Sequence, residues 1–463
     1  MQGTPGNVTA DDFTSLSDAI AAADSATNAG VYTISLDAIS GTIDLTGMIP
    51  EISLVTGVTL DIIGNGTTLD GGGAEPGLFA YQGNVSIDDL TLLDTTITGG
   101  EAPHGANLGG SGYGGYGGGS AGLGGGLFIG SKAAVTLDRV NFTNDGAIGG
   151  NGGAGGQGAT NTGRAGFGQG GSGGNQGSPF DVGGNGLSGG FGGGGGGGGG
   201  GGSGYFFYNG GKGGGTIAGD GGAGGKGGFG AGSGAAGNYG ATVIVSGEDH
   251  RGTSTNASGT HVYTYTSRVM SGTPNLTYNG GGAGGGGLGA GGDIFIQGGG
   301  KLKILGGSLG AGSVKGGTGA NPGSSFGSGI FLQGNATAVL AADAGKTLSI
   351  TGAIADEDGS EPGYSADQGT IAIEGPGTVL LDAANTFEGG IILSGGTLLL
   401  GAAGAAGGGG ITFTNDPKLA FTAADAPANT ISGFAPGDVI DITDLKESSV
   451  TQNFAPNGDG GVL

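Results

Sequence analysis

The feature that most limits what this chain can become is a glycine tract, from about Gly109 to Gly240, in which side chains return every third residue. Residues 149–158 read GGNGGAGGQG, residues 219–230 read GDGGAGGKGGFG, and Gly192–Gly202 is unbroken glycine. In the second segment Asp220, Ala223, Lys226 and Phe229 stand three apart. A helix with three residues per turn therefore carries all four on one edge and leaves two edges of bare backbone. Such a polyproline-II-type helix rises about 3.1 Å per residue and makes no internal hydrogen bonds. Its amides and carbonyls must find partners on neighbouring segments, and the pattern predicts a sheaf of packed polyglycine-II helices.

Composition alone favours a different outcome. Glycine-rich chains are ordinarily flexible linkers, and each ordered glycine gives up the most backbone entropy. Two features oppose a linker: the strict period, and the interruptions at Phe167, Phe180, Leu187, Phe191, Tyr205, Phe206 and Phe207, for which a solvated chain has no use. Collagen is excluded by 13 prolines against 129 glycines and the lack of a steady Gly-X-Y run. Ordered sheaf and disordered loop are the two outcomes left.

The chain has 463 residues and contains neither cysteine nor tryptophan, so it has no disulfide framework, thiolate metal site or cysteine nucleophile. That absence fits a bacterial exported protein that crosses a membrane unfolded. Its 37 acidic and 13 basic residues give a net charge of −24, which argues against nucleic acid and anionic membranes as partners. No apolar run reaches the length of a membrane-spanning helix. The opening MQGTPGNVTADD lacks the basic and apolar regions of a signal peptide, and the chain reads as part of something larger.

Residues 13–24, FTSLSDAIAAAD, place Phe13, Leu16, Ala19, Ile20 and Ala23 at helical spacing, with Thr14 or Ser15 as the expected N-cap. Short alternating runs follow at 31–36, 41–46, 53–63, 67–70, 78–82, 84–92 and 95–98, punctuated by Gly, Asn or Asp, the pattern of short strands with tight turns. An amphipathic helix at the start of such a stack can cover its open end.

The succession SLSDAIAAAD, GVTLDIIGNGTTLDGGG and LFAYQGNVSIDDLTLLDTTITGG resembles the N-terminal part of right-handed parallel β-helix passengers, including autotransporter and polymorphic outer-membrane proteins. The resemblance covers roughly residues 13–145. Three later segments share one plan: GGGLFIGSKAAVTLDRVNF (124–142), GGDIFIQGGGKLKILGGSLG (291–310) and GSGIFLQGNATAVLAADAGKTLSI (328–350). Each has glycines, a strand of three apolar residues, a turn and a second alternating strand, as expected of a solenoid. The glycine excursions precede these strands, so the sheaf should leave at one corner and lie along one flank. Residues 375–413 resemble the autotransporter-associated β-strand repeat, matching it at Asn385, Thr386, Phe387, Gly389, Gly390, Gly396, Thr397, Leu398 and Leu400. Residues 429–445 resemble a segment found near such repeats in large secreted bacterial proteins.

The expected architecture is therefore all-β: a right-handed parallel β-helix with a short N-terminal capping helix and polyglycine-II segments along one flank. Its expected divisions are a cap (1–30), a first β-helical part (31–145), the glycine insertion (146–240), a polar insertion with a glycine-rich return (241–292), a second β-helical part (293–374), and the repeat with C-terminal coils (375–463). Within the polar insertion, HVYTYT (261–266) is expected to form a hairpin arm.

Right-handed β-helices include polysaccharide-cleaving enzymes, so paired carboxylates matter. Asp88-Asp89 followed by His104-Gly105 resembles elements of galacturonase-like hydrolases only superficially. Adjacent strand residues point to opposite faces, and the Arg-x-Lys element of those enzymes has no counterpart. Both aspartates are expected at a strand edge or turn. His104, His250 and His261 lack metal-ligand spacing. No cofactor is expected, and the acidic glycine-rich composition leaves only weak calcium binding open.

These readings converge on a non-enzymatic bacterial surface or secreted protein, an adhesin-like passenger stalk without membrane insertion of its own. It would contact an unidentified extracellular or cell-surface protein or glycan, with self-association left open. Candidate contact residues are Tyr113, Tyr116, Tyr205, Tyr208, His261, Tyr263 and Tyr265. The glycine-segment tyrosines serve equally well as wedges between glycine helices. The competing classes are a carbohydrate-active β-helix enzyme, and a binder of ice or crystalline surfaces, since packed polyglycine helices resemble the snow-flea antifreeze architecture.

Overall fold

The computed structural model describes residues 6–101, 115–154, 169–170, 172, 184–197, 204–206, 222–236, 242–244, 248–255, 262–269, 281–364, 367–445, 455–457 and 460–462. The fold is dominated by one 23-stranded sheet whose pairings are parallel. Successive passes of the chain add strands to three ladders. The first ladder runs through Asn7–Ala10, Gly30–Leu36, 58–63, 84–88, 134–138, Lys301–Ile304, Thr337–Ala341, Thr370–Glu374, Ile391–Leu393, Ile411–Phe413 and Ile431–Ser432. The second begins at Thr42–Asp44 and ends at Val439–Ile442. The third is shorter: Ile52–Ser53, 78–82, 127–132, Ile294–Ile296, Ile330–Leu332 and Ile354–Asp356.

The register explains the alternation in the runs of the first two ladders. Parallel pairing puts like positions in columns, and period-2 side chains keep each column on one face. Ile34, Ile62, Ile87, Leu137, Ile304, Leu340, Ile373, Leu393 and Phe413 follow one another in the first ladder, and all are buried. A second column holds Ile43, Leu69, Leu92, Phe142, Leu309, Ile350, Leu381, Leu400 and Phe421. Both columns belong to a single apolar core. Between the two ladders the chain bends through Asn65, Asp89 and Arg139, whose φ angles are 52°, 53° and 52°, a left-handed conformation that Asn and Asp tolerate better than most residues.

The one long helix among the described residues is Phe13–Asp24, with Leu16, Ala19, Ile20 and Ala23 buried against that core. Its N-cap is Asp12, not Thr14 or Ser15. The Asp12 carboxylate accepts from the Ser15 amide at 2.7 Å, and the Ser15 hydroxyl accepts from the Asp12 amide at 3.1 Å. Two otherwise unpaired donors are satisfied at once, so Ser15 is the third helical residue. The expected run at 53–63 is also interrupted: Ile52–Ser53 and Val58–Asp70 are separate strands with Gly57, at φ 90°, between them.

Residues 127–142 pair directly with 294–309. The chain between them leaves the ladders and returns in register. Later, 378–381 pairs with 397–400 and 391–393 with 411–413, so the repeat-like segment continues the same ladders. There Asn385 joins three passes: its side chain accepts from the Ile354 amide at 2.7 Å and donates to the Ala405 carbonyl at 2.6 Å.

Leu137→Ala should therefore cost about 2–5 kcal/mol, because it opens a cavity in a column filled above and below. Ile392→Thr, on the exposed face of the same ladder, should change stability by no more than about 0.5 kcal/mol. Urea midpoints of the two variants at unchanged slope check this.

Candidate functional site

The third ladder breaks the alternation rule. Its strands read LFI (127–129), IFI (294–296) and IFL (330–332), apolar at three consecutive positions. First and third residues face the core, which leaves the middle phenylalanine on the opposite face. There Phe79, Phe128, Phe295 and Phe331 are in register. Phe128 and Phe295 stack with centroids 5.4 Å apart, and Phe295 and Phe331 at 5.5 Å. A parallel strand buried on both faces reads as a continuous apolar run, and something must cover this face.

The glycine-rich segments cover it. Leu123, Phe229, Leu288 and Ala290 join Phe295, Phe331 and Ala355 in a second apolar core, with Ala121, Phe128, Phe191 and Phe326 packed at its margin. Phe191 and Phe229 stack on each other at 5.2 Å, and Phe229 lies 5.8 Å from Phe331. Each occurs in the sequence Gly-Gly-Phe-Gly, and each is followed by a glycine of positive φ, Gly192 at 68° and Gly230 at 62°. That conformation turns the chain back on itself after the ring has been delivered inward. The threefold pattern had put Phe229 on the same edge as Ala223 and Lys226. Ala223 and Lys226 are exposed, but Phe229 is fully buried, because the turn takes it off that edge and into the aromatic seam.

Beyond the seam the described glycine segments bond to one another through their backbones. From Gly194, Gly195 and Gly196, successive amides donate to Gly119, Gly232 and Leu187, on three different segments, at 2.8–2.9 Å. The next amide, Gly197, returns to the first segment at Tyr116. The same recurrence holds for Gly284 and Gly287, which donate to Gly153 and Gly150, and for Gly186 and Gly189, which donate to Ala223 and Lys226. Amides three apart thus find the same neighbour, and the acceptor shifts by three in one direction or the other. At its close approaches no side chain fits. A Cβ on Gly194 would overlap the carbonyl of Gly285, and one on Gly284 the carbonyl of Gly117.

Of the candidate contact residues, Tyr116 is buried in this layer at 8 % exposure, beside Gly153. Tyr205 lies in Gly204–Phe206, which pairs in parallel with Thr242–Ile244. Tyr263 and Tyr265 lie in Val262–Val269, antiparallel to Glu248–Thr255, opposite Ser254 and Gly252. The expected hairpin arm is present. Tyr113, Tyr208 and His261 fall outside the described residues. The structure thus associates Tyr116 with the glycine layer and Tyr263 and Tyr265 with the hairpin.

Asp88 is paired with Arg139, which also holds Asp138 at 2.8 Å, and Asp89 occupies the left-handed corner. Asp89 is thus at a turn as expected, whereas Asp88 lies in a strand paired on both sides, with Ile63 and Asp138; His104 lies outside the described residues. A cleft of about 370 Å³ near the helix start is lined by Asp11, Asp12, Phe13, Thr14 and Asp44 among others. Asp12 there is committed to the cap, and the Ser15 amide holds its carboxyl below the usual range. Among the described residues no three His, Cys, Asp or Glu side chains are grouped as a metal would need, and no helix is long and apolar enough to cross a membrane.

Compared with protein-family models, curated proteins and solved structures, the chain finds no match in any of the three. The protein is thus a mostly β, parallel fold with a glycine-rich layer fastened to one outer face by stacked phenylalanines.

Gly194→Ala and Gly284→Ala should each destabilise the chain by about 1–3 kcal/mol through overpacking. Gly298→Ala, whose added carbon would lie 3.5 Å from its nearest neighbour, should be neutral or stabilising by up to about 1 kcal/mol. Phe229→Ala should cost about 3–5 kcal/mol. Thermal and urea midpoints of the four variants give the order.

Proposed function

We propose that the three ladders wind as a right-handed β-helical stalk, that the glycine segments are polyglycine-II helices laid along its flank, and that the whole is an exported bacterial surface protein of the autotransporter passenger type. Its work is adhesion rather than catalysis: a stiff support carrying contact surfaces to an extracellular or cell-surface protein or glycan. The observation that carries this reading is the recurrence of the same hydrogen-bonded neighbour at every third amide, which a threefold helix produces and a flexible linker does not.

Length supports the stalk. Eleven strands in the first ladder, at roughly 4.8 Å per step, reach about 50 Å. The resemblance of residues 375–413 to the autotransporter-associated repeat supports export. The polar arm at 248–269 supports a contact role, since binding residues concentrate on excursions from rigid scaffolds. The acidic surface would hold calcium only weakly, and self-association would multiply the weak contacts of single stalks. A second reading, binding to ice or another crystalline surface, draws on the threefold spacing of exposed Ala223 and Lys226.

The test is retention of the purified chain on arrays of matrix proteins and glycans, beside a variant lacking residues 248–269. We expect saturable binding, weakened at least about tenfold in the variant, with no release of reducing ends from polysaccharides. Cleavage of a polysaccharide would replace the adhesin with an enzyme. Thermal hysteresis without glycan or protein binding would select the crystalline-surface reading.

A further inference from the structure

Two carboxyl groups are buried where the glycine layer joins the sheet. Asp145 and Asp293 both have 0 % exposure. Asp145 Oδ1 accepts from the Thr95 amide at 2.9 Å and from the Thr95 hydroxyl at 2.6 Å, while its Oδ2 has no partner. Neither side-chain oxygen of Asp293 has one. Three acceptor atoms are therefore buried without a protein partner at one seam, and nearly every buried polar group in a native protein is satisfied.

The register accounts for their proximity. Asp145 precedes Gly146, which pairs with Thr96 and Ser313, so Thr95, Asp145 and Gly312 form a column. Gly312 carries no side chain, and a Cβ there would lie 2.5 Å from Asp293 Oδ1 and 2.5 Å from the Ser328 carbonyl. The Asp293 carboxyl fills the place that column leaves empty. Its own column supplies no rival: the equivalent residues before Leu127 and Ile330 are Gly126 and Gly329. Asp293 is also the residue through which the segment 281–292 enters the third ladder.

We infer that Asp145 and Asp293 form a proton-holding pair that fastens the glycine layer to the sheet and loosens as the proton is lost. A carboxylic acid has an O–H to donate, whereas a carboxylate only accepts. One proton converts two repelling acceptors into a donor and an acceptor, with the Ser328 carbonyl as a second acceptor beside them. Two buried carboxylates without a cation would instead each carry a desolvation penalty that nothing repays. Burial pushes Asp145 up to about 7, with the Asp94 charge adding to it and the Thr95 and Thr143 hydrogen bonds opposing. Burial, then the Asp145 charge, holds Asp293 well above the usual carboxylate range. The other groups facing the pair are the Thr95 hydroxyl, the Gly312 backbone and the Ser328 carbonyl, and no lysine or arginine among the described residues acts on either carboxyl.

Both groups are raised on folding, so the folded chain binds protons that the unfolded chain has released. The stabilisation is complete below the unfolded value near 4 and is lost as pH rises through the folded values, about 7 for Asp145 and well above the usual carboxylate range for Asp293. Between those limits each proton changes the unfolding equilibrium about tenfold per pH unit.

The test uses the full chain. Infrared difference spectra in heavy water should show the carbonyl stretch of a neutral carboxylic acid at pH 7, weaker in Asp293→Asn. Between pH 5 and pH 7 unfolding constants should rise more steeply in the wild type than in that variant, by up to about tenfold per unit. If Asp293→Asn does not fold, the wild-type spectrum and Asp145→Asn decide. Absence of a neutral acid at pH 7, or equal pH dependence in wild type and variant, would overturn the pair. So would one tightly bound divalent cation per chain whose removal lowers the midpoint.

Discussion

Backbone without side chains can be stacked only if each amide finds a carbonyl on another segment, and the glycine layer depends on that exchange. Ordering a residue costs about 1–2 kcal/mol of backbone entropy, most for glycine, and a hydrogen bond made in place of one to water returns about 0.5–1.5 kcal/mol. The two are of the same size. Lateral hydrogen bonds therefore decide where each segment lies, but they leave the layer close to balance. Burial of a phenylalanine is worth about 1.5–3 kcal/mol, and Phe191 and Phe229 reach from the layer onto a stack that the ladders have already built. The aromatic seam tips the balance, and the hydrogen bonds make the result specific.

Much of the ladder architecture was legible because parallel pairing rewards repetition. A run such as VTLDII (58–63) or KLKI (301–304) declares its buried face by alternation, and the apolar sequence at 13–24 declares a helix. The cap was misassigned because Ser15 is a good N-cap residue by type, while Asp11-Asp12 ahead of it offers the better carboxylate. The seam was missed, although it was written in the sequence. LFI, IFI and IFL each put an aromatic residue where alternation expects a polar one, and a run that is apolar on both faces announces a second layer. Phe229 was misplaced because a three-residue period continues only until the chain turns, and the Gly-Gly-Phe-Gly that ends both segments marks the turn. The buried acids had a fainter signal: an aspartate directly before IFI, at a position where the neighbouring passes have glycine.

The position of the glycine excursion is physically economical. Loop-closure entropy grows only with the logarithm of length, so a long departure between 142 and 294 costs little more than a short one, provided the strands resume in register. They do, as Leu127 opposite Ile294 and Val135 opposite Leu302 demonstrate. The ladders are thus indifferent to what lies between their passes. That leaves the excursion free to carry surface-specific chemistry on a scaffold whose own pairing is undisturbed.

The layer is less independent than the ladders. Its outer turn at Phe229 and Gly230 is held by residues from well beyond the excursion: Glu361 accepts from the Gly230 amide at 3.1 Å, and the Tyr364 ring meets Phe229 edge-on at 4.9 Å. Phe331, which Phe229 covers, likewise arrives a hundred residues later in the chain. Ladder contacts span as much sequence, since Leu127 lies opposite Ile294, so separation along the chain does not set the two parts apart. What does is dependence: the glycine segments have this face to pack on only where Phe128, Phe295 and Phe331 are held in register by the third ladder, whereas that ladder's backbone pairing needs nothing from the layer.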